Sequence, residues 1–268
     1  MSRSILVFDS GVGGLSILTE MQKLLPQHHY HYLFDHARLP YGELDEQVLI
    51  DGCVALIVPV AQQIQADIVV IACNSASTLV LPALRAMLAI PVVGVVPAIK
   101  PAAQLSRSKH IGLLATPGTI KRHYTHQLIA EYASDCHVEL FGSSELVMIA
   151  EQKCAGLPVS QQQLAQLLGP VSQTTIDVLV LGCTHFPMLK EEIASVLGHG
   201  VTLLDSGEAI ARRVQQLLAD NTHSCDINIE RGADAYYTGT ITEGLKQLLV
   251  SKGFNAIKKL TANGQLDI

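Results

Sequence analysis

The sequence lacks cysteine pairs at CxxC spacing, although it contains six cysteines in 268 residues. Zinc ribbons and thioredoxin-type redox sites both depend on such pairs, so the sequence predicts neither. We therefore expect the thiols to be reduced. The six cysteines are Cys53, Cys73, Cys136, Cys154, Cys183 and Cys225.

A metal site is also not predicted from the histidines in the first part of the chain. His28, His29, His31 and His36 straddle a turn and a predicted strand. No carboxylate or cysteine stands at ligand spacing beside them, as a typical metal centre would require. We expect no bound metal.

Long apolar runs and basic clusters are absent as well. No run approaches the about 20 apolar residues of a membrane-spanning helix, and the start MSRSILVFDS has no signal-peptide pattern, so we expect a cytoplasmic protein that is not bound to a membrane. The net charge is −6 and no lysine or arginine cluster occurs, which argues against a nucleic-acid surface. With 49% hydrophobic and 16% charged residues, the chain predicts one or two compact domains with a sizeable core.

Two matching segments end in a cysteine followed by polar residues. Residues 67–78 read DIVVIACNSAST and residues 177–187 read DVLVLGCTHFP, with Cys73 and Cys183 standing 110 positions apart. Each apolar run has the length of a parallel strand that is covered on both faces, and a helical pattern follows it. A single cysteine in such a run is commonly a small buried apolar residue. Two at equivalent strand ends predict a ligand site at the carboxyl edge of a sheet.

The segments around these cysteines belong to a longer repeat. Strands are predicted at Ser4–Phe8, Tyr30–Phe34, Asp67–Ile71 and Pro91–Val96, and again at His110–Ala115, His137–Phe141, Asp177–Leu181 and Val201–Leu204. The offsets between the two sets lie near 106 to 110 positions. Because helical patterns separate the strands, we predict an α/β fold of two pseudo-symmetric parallel-sheet domains that face each other across a cleft.

The end of the chain is too short for a third domain. After Asp205 we predict a helix to about residue 219, a polar link at 221–232, a strand near 235–238, a helix over 240–250 and a short tail. The simplest placement packs this segment on the first half. The predicted domains are therefore residues 1–97 plus 206–268, carrying Cys73, and residues 98–205, carrying Cys183.

Two thiols on opposite sides of one ligand can invert a carbon centre. One thiolate removes a proton from one face, and the other thiol returns a proton to the opposite face. Because a free thiol is only slightly ionised at pH 7, we expect helix N-termini near the strand ends to lower the pKa of both cysteines. Asp9 and His185, also at strand ends, are candidates for exchanging protons with the thiols. The structural alternatives are a helix cap for Asp9 and a supporting hydrogen bond for His185.

Five stretches of the sequence resemble the glutamate racemases, a cofactor-independent family that supplies D-glutamate for peptidoglycan. They are FDSGVGGLSIL (8–18), ARLPYGE (37–43), ACNSAST (72–78), LLATPGT (113–119) and LGCTHFPML (181–189). They occur in the family's order and span most of the chain. Together they make the resemblance specific.

The resemblance implies Cys73 and Cys183 as the two proton donors and acceptors, with Cys73 acting on the D-enantiomer and Cys183 on the L-enantiomer. It further implies that Asp9, His185 and Glu151 assist catalysis. The substrate-binding residues it implies are Asp9, Ser10, Tyr41, Gly42, Asn74, Ser75, Thr116, Thr119, Thr184 and His185.

The sequence departs from the family at two of the positions near these motifs. Ser75 stands where threonine is common, and since a hydroxyl is kept we expect binding to survive. Arg122 stands where many relatives carry serine, and its effect on the cleft is left open.

No lysine lies at a strand end in the matched motifs, so pyridoxal phosphate is not expected. The glycine turn at 11–14 does not match GxGxxG, so a dinucleotide is not expected either.

Several functions other than glutamate racemisation are also compatible with the sequence. An aspartate or hydantoin racemase would share the two-cysteine cleft. A cysteine hydrolase would use Cys183 with His185 and leave Cys73 without a role. A non-catalytic amino-acid-binding module would bind but not react. The expected partner in every case is a small molecule, and a homodimer is an open alternative to a monomer.

Overall fold

The computed structural model describes residues 2–220 and 231–260, in which ten strands form two sheets. The strands are β1 Ser4–Asp9, β2 His29–Phe34, β3 Ile68–Ile71, β4 Val92–Gly94, β5 His110–Ala115, β6 His137–Gly142, β7 Val178–Leu181, β8 Thr202–Leu204, β9 Gly232–Tyr237 and β10 Ala256–Lys259. Every pairing between neighbouring strands is parallel.

Helices connect these strands. The described α-helices are α1 Leu15–Leu24, α2 Glu46–Gln63, α3 Asn74–Met87, α4 Ile99–Leu105, α5 Pro117–Lys121, α6 His123–Tyr132, α7 Glu145–Cys154, α8 Gln161–Ser172, α9 Lys190–Leu197, α10 Gly207–Asp220 and α11 Glu243–Ser251. Short 3-10 turns cover His36–Arg38, Tyr41–Glu43 and Phe186–Leu189.

The two sheets repeat one strand order. The first runs β10-β9-β2-β1-β3-β4 and the second runs β6-β5-β7-β8. Strands β1 to β4 and β5 to β8 therefore take equivalent places, as the repeated offset of the sequence predicts. The predicted fold class, two parallel-sheet α/β halves, is confirmed.

Each sheet is covered by apolar side chains on both faces. Along β1, Ile5 and Val7 pack with α1 and α10 on one face, while Leu6 and Phe8 pack with α2 and α3 on the other. The second sheet has two such layers as well. All residues of β3 and β7 are buried, which explains why these strands are uninterrupted apolar runs.

The end of the chain extends the first sheet. Strand β9 pairs with β2, and β10 pairs with β9. Strand β10 is missing from the sequence prediction, because its four residues are half-buried or exposed and have no apolar run. The predicted domain boundaries stay a prediction, which the pairing of β9 with β2 supports. Most of the predicted polar link, with Cys225, and residues 261–268 lie outside the described residues.

Two expectations from composition concern the described residues directly. The cysteines there, Cys53, Cys73, Cys136, Cys154 and Cys183, are free thiols. Within residues 2–220 and 231–260, no helix is both long and apolar enough to cross a membrane.

Candidate active site

Cys73 lies where β3 passes into α3. It is the residue before the first helical position, and only 5% of its surface is exposed. Its thiol donates to the Ser10 hydroxyl, with 3.7 Å between Sγ and Oγ. Burial and then the charge of Asp9 raise the pKa of Cys73 well above its ordinary value, although the backbone N–H of Ala76 acts in the opposite direction. The helix donor lowers the pKa of Cys73 as expected, but loss of solvation outweighs it, so the expected net lowering is not found.

Cys183 occupies the equivalent position after β7, with 7% of its surface exposed. Its Sγ lies 3.9 Å from Nδ1 of His185, and Nε2 of the same ring lies 2.7 Å from Oε1 of Glu151. Burial would lower the pKa of His185, but the hydrogen bonds to Cys183 and Glu151 and their charges raise it well above its ordinary value. The raised pKa favours the imidazolium form of His185, whose ring lies between the Cys183 sulfur and the Glu151 carboxylate.

Glu151 on α7 reaches from the second half into the first. Its Oε1 also accepts from the backbone N–H of Val12 at 2.8 Å, and its Oε2 is buried without a hydrogen-bond partner. Burial alone would raise the pKa of Glu151, but the hydrogen bond from His185 and its charge lower it. Glu151 is therefore a buried carboxylate whose main partner is the imidazolium.

The glycine turn after β1 makes room for this pair. A Cβ on Gly11 would stand 2.1 Å from Oε1 of Glu151, and a Cβ on Gly13 would stand 2.4 Å from Nδ1 of His185. The turn therefore has glycine at both positions because side chains of the second half press against its backbone.

Asp9 also joins the two halves, through Thr184. It is fully buried at the end of β1 and accepts from the N–H of Gly11 and from the hydroxyl of Thr184, both at 2.8 Å. Ser10 donates to the same carboxylate at 3.3 Å. Burial raises the pKa of Asp9, and the charge of His185 opposes it. A carboxylate with a raised pKa near a thiol is suited to proton exchange.

Three hydroxyls form a triangle across the same junction. Ser75 Oγ lies 3.0 Å from Thr116 Oγ1 and 3.3 Å from Thr119 Oγ1, and the two threonine oxygens lie 3.0 Å apart. The neighbouring amide nitrogen, Asn74 Nδ2, is buried and has no partner. Buried polar groups are normally hydrogen-bonded, so this unpartnered donor marks a place for a ligand acceptor.

Tyr41 points away from these hydroxyls. Its hydroxyl donates to Asp35 at 2.5 Å and accepts from Cys53 at 3.8 Å, inside the first half. Gly42, in contrast, abuts the triangle, since a Cβ there would stand 2.5 Å from Cβ of Thr116. A ligand contact at Tyr41 would therefore use its backbone rather than its hydroxyl, and its role as a binding residue stays a prediction.

Arg122 crosses between the halves at the same place. Its buried guanidinium donates to the carbonyl of Ser75, and to the hydroxyl of Thr78 at 2.5 Å. Its Nε lies 3.6 Å from Oε1 of Glu46. The sequence marks position 122 only as a departure from the family and gives no sign of these partners, because they lie about 44 to 76 positions earlier in the chain.

The predicted site residues thus converge on one junction, except that the Tyr41 hydroxyl is bonded inside the first half. Charge on Cys183 contributes to the raised pKa of Cys73, so the two thiols lie within electrostatic reach of each other. Each thiol has its own polar partners: Ser10 and Asp9 for Cys73, and His185 for Cys183. The arrangement can move a proton at two sulfurs separately.

Comparisons with known proteins agree on one family. The family model for Asp/Glu/Hydantoin racemase matches residues 14–214. A glutamate racemase of Shewanella sp. (strain MR-7) is 63% identical over 266 residues, which cover 97% of this chain and 98% of that protein.

Solved structures resemble the whole chain. A crystal structure of Escherichia coli glutamate racemase in complex with L-glutamate and the activator UDP-MurNAc-Ala has a TM-score of 0.91 and 46% identity, covering 97% of this chain and 99% of that one. Glutamate racemase isoform RacE1 from Bacillus anthracis has a TM-score of 0.81 and 27% identity, covering 97% and 98%.

Proposed function

The chain belongs to the Asp/Glu/hydantoin racemase family and is an amino-acid racemase, and from this premise we propose that it interconverts L- and D-glutamate with two cysteines as the bases. One observation carries the proposal. Cys73 and Cys183 follow equivalent strands of two repeated sheets, both are nearly buried, and each has separate polar partners. The glutamate racemase of Shewanella at 63% identity supports glutamate as the substrate.

The proton transfers follow from the two thiol environments. In the L-to-D direction, the Cys183 thiolate removes the proton from Cα, and the Cys73 thiol donates its proton to the opposite face. Cys73 is suited to donate, because its raised pKa keeps it protonated at neutral pH. In the D-to-L direction the two sulfurs exchange roles. Each passage inverts Cα and leaves one sulfur protonated and the other ionised, so the sulfurs must be reset before the next turnover.

His185 and Asp9 provide the reset. His185 Nδ1 lies 3.9 Å from the Cys183 sulfur. The imidazolium can return a proton to the Cys183 thiolate after a D-to-L turnover. After an L-to-D turnover the ring must first give its proton to water, and it can then accept the proton of the Cys183 thiol. Glu151 holds that ring in place and stabilises its charge through the 2.7 Å contact. On the other side, Asp9 has a raised pKa and shares Ser10 with the Cys73 thiol. Asp9 and His185 are therefore proposed as proton carriers, and Glu151 as a positioning residue.

The carboxylates of glutamate require hydrogen-bond donors. Asn74 Nδ2 is a buried donor without a partner, and the hydroxyls of Ser75, Thr116 and Thr119 lie beside it. Hydrogen bonds to charged carboxylates are stronger than those between neutral groups, so these groups can hold an anion without an arginine in direct contact. Ser10, Thr184 and the backbone of Tyr41 and Gly42 complete the proposed binding set.

This chemistry is carried by protein thiols, and we propose that it uses no cofactor. We further propose that the D-glutamate produced is used for peptidoglycan synthesis in the cytoplasm. Assembly as a homodimer stays a prediction.

The test follows deuterium and optical rotation together. Wild-type protein and the variants Cys73→Ser and Cys183→Ser are incubated with D-glutamate or L-glutamate in D2O. We expect the wild type to place deuterium at Cα of the product and each variant to lose nearly all turnover, because each direction needs both sulfurs. Cys136→Ser, a half-buried cysteine at the start of β6, is the matched control and should keep full activity.

Each alternative function predicts a different result in this experiment. A hydrolase that depends on Cys183 and His185 would place no deuterium at Cα, and its activity would survive in Cys73→Ser. Ligand binding without deuterium at Cα would indicate a binding module. Inversion of aspartate but not of glutamate in parallel incubations would overturn the proposed substrate.

A further inference from the structure

Two histidines and an aspartate meet on one face of the first sheet, away from the candidate active site. His29 and His31 are two residues apart on β2, so their side chains lie on the same face. His31 is directly opposite Asp234 in the parallel pairing of β2 with β9. The sequence predicts no metal at these histidines because no carboxylate stands near them in the chain. The structure brings one from a strand more than 200 positions later.

The three side chains are close and already oriented. His29 Nε2 lies 3.2 Å from Asp234 Oδ2, and the two imidazole centroids lie 4.6 Å apart. One ligand atom from each of the three side chains lies within 4.8 Å of the others. Nδ1 of His31 contacts the hydroxyl of Tyr236 at 3.2 Å, a bond of the kind that fixes a ligand ring from behind.

We propose that His29, His31 and Asp234 bind a divalent cation of the zinc, cobalt and nickel class. Two imidazoles and one carboxylate are a common ligand set for these ions. Around an ion with ligand distances of about 2.0–2.2 Å, ligand atoms stand at most about 4.4 Å apart, so small side-chain rotations close the site. All three residues are partly exposed, which leaves coordination positions for water.

The orientation and charge of the ligands suit a cation. The His31 ring turns its Nδ1 to the Tyr236 hydroxyl and so presents Nε2 to the ion. Asp234 supplies the negative charge that the cation needs.

A second group in the described residues resembles the first and provides the comparison. His110, His137 and Glu139 also lie within ligand distance of one another at the start of β5 and β6. Here, however, both ring nitrogens of His110 already have partners, Thr175 Oγ1 at 2.9 Å and Glu139 Oε1 at 2.6 Å. A cation would have to break a bond at either ring nitrogen of His110, whereas His31 of the first group can bind through Nε2 and keep its Nδ1 contact with Tyr236. We therefore assign the site to the first group.

The position of the site predicts what the ion does. His29 begins β2, whereas Cys73 follows the carboxyl end of β3, and the strands are parallel. The ion would therefore sit toward the opposite edge of the sheet from the thiols. It would join β2 to β9 and stabilise the folded protein without changing turnover.

The test uses Ni²⁺ as the probe. Full-length protein is freed of metal with a chelator, and Ni²⁺ binding is followed by calorimetry and by the rise in melting temperature. We expect one site in the wild type, a loss of affinity of at least about tenfold in His31→Ala, and no loss in the matched control His137→Ala. Asp234→Asn serves as a second variant if His31→Ala fails to fold, and racemase activity should be unchanged by Ni²⁺.

Three results would overturn the proposal. The first is an absence of saturable Ni²⁺ binding to the wild type. The second is binding that survives in both His31→Ala and Asp234→Asn. The third is binding that disappears in His137→Ala or in Cys73→Ser, since it would then belong to the second histidine group or to the thiols.

Discussion

At the scale of single residues, the two sulfurs have unlike surroundings. Cys73 stands beside a serine hydroxyl and near a carboxylate, whereas Cys183 stands beside an imidazolium that a second carboxylate supports. The repeat that places both cysteines at equivalent strand ends does not extend to these partners. Asp9 comes from β1, His185 from the turn after β7 and Glu151 from α7.

The imidazolium state of His185 can be tested through Glu151. In Glu151→Gln the carboxylate charge is lost, so the raised pKa of His185 should fall toward its ordinary value. We expect kcat to drop by at least about tenfold and the limb of the pH profile that reports His185 to move to lower pH. Glu145→Gln, on the exposed first turn of the same helix, is the control. An unshifted pH profile would contradict the proposed role.

Arg122 gives a second prediction at this scale. In Arg122→Met, the carbonyl of Ser75 and the hydroxyl of Thr78 lose their donor, and the first turn of α3 is no longer tied to the second half. We expect the free energy of unfolding to fall by about 1–3 kcal/mol and KM to rise several-fold. Urea unfolding and steady-state kinetics measure both, with the exposed neighbour variant Lys121→Met as control. An unchanged KM in Arg122→Met would show that the hydrogen bonds of Arg122 to Ser75 and Thr78 do not position the hydroxyls that bind substrate.

At the scale of strands and helices, one aspartate fixes the start of each sheet repeat. Asp67 accepts from the N–H of Ser4 at 2.8 Å and thereby ties β3 to β1. Asp177 accepts from the N–H groups of Arg107 and Ser108 at 2.7 and 2.9 Å, and ties β7 to the loop before β5. The aspartate that opens each matching segment is therefore structural, and the cysteine that ends it lies in the site.

The variant Asp177→Asn tests the structural role of the hydrogen bonds that Asp177 accepts. Burial would raise the pKa of Asp177, but hydrogen bonds from Ser106, Ser108 and Arg107 lower it far below its ordinary value. A lowered folded-state pKa stabilises the protein above the unfolded-state value of about 3.9, and this stabilisation is lost as pH falls below it. Since the carboxylate is partly exposed, we expect a loss of about 1 kcal/mol at pH 7 that shrinks below about pH 4.

The measurement is urea unfolding of the wild type and Asp177→Asn at several pH values. Asp135→Asn, which removes an exposed partner of Lys109, is the control and should not change stability measurably. A difference between wild type and Asp177→Asn that stays constant down to pH 3 would contradict the assignment.

Local patterns were sufficient to predict most elements. Strands β3 and β7 are buried on both faces and leave a continuous apolar signal. Together with the repeated offset, this signal predicted eight strands to within about two residues. Strand β10 left no such signal. The contacts of Glu151 with Val12 and of Arg122 with Ser75 could not be predicted either, since they join distant segments through side chains that no local pattern marks.

At the scale of the whole molecule, the two chain crossings between the halves lie side by side. The hydroxyl of Ser206, before α10, donates to the carbonyl of Val96, after β4, at 2.6 Å. These crossings coincide with the predicted domain boundaries, after residues 97 and 205. Further contacts between the halves, such as that of Ser16 with the Thr184 carbonyl at 3.0 Å, lie nearer the thiols. The halves are thus joined both at the crossings and at the site.

Ser206→Ala should affect stability more than catalysis. The variant leaves the Val96 carbonyl without this donor, and we expect the free energy of unfolding to fall by about 1 kcal/mol while kcat/KM changes less than twofold, because the bond touches no site residue. Urea unfolding and kinetics test this, with the exposed Ser251→Ala as control. A large fall in kcat/KM with unchanged stability would instead identify this bond as a part of the catalytic motion.

The different surroundings of the two sulfurs cannot change the equilibrium between the two enantiomers, and this limits the kinetic constants. Mirror-image amino acids have equal free energies in water, so the equilibrium constant between them is unity whatever protein connects them. An imidazolium beside one sulfur can raise kcat in one direction alone, at unchanged kcat/KM, only if KM for that enantiomer rises in proportion. A change beside Cys183 alone must therefore alter kcat/KM for both enantiomers by one common factor, so that a one-sided environment still yields a two-way enzyme.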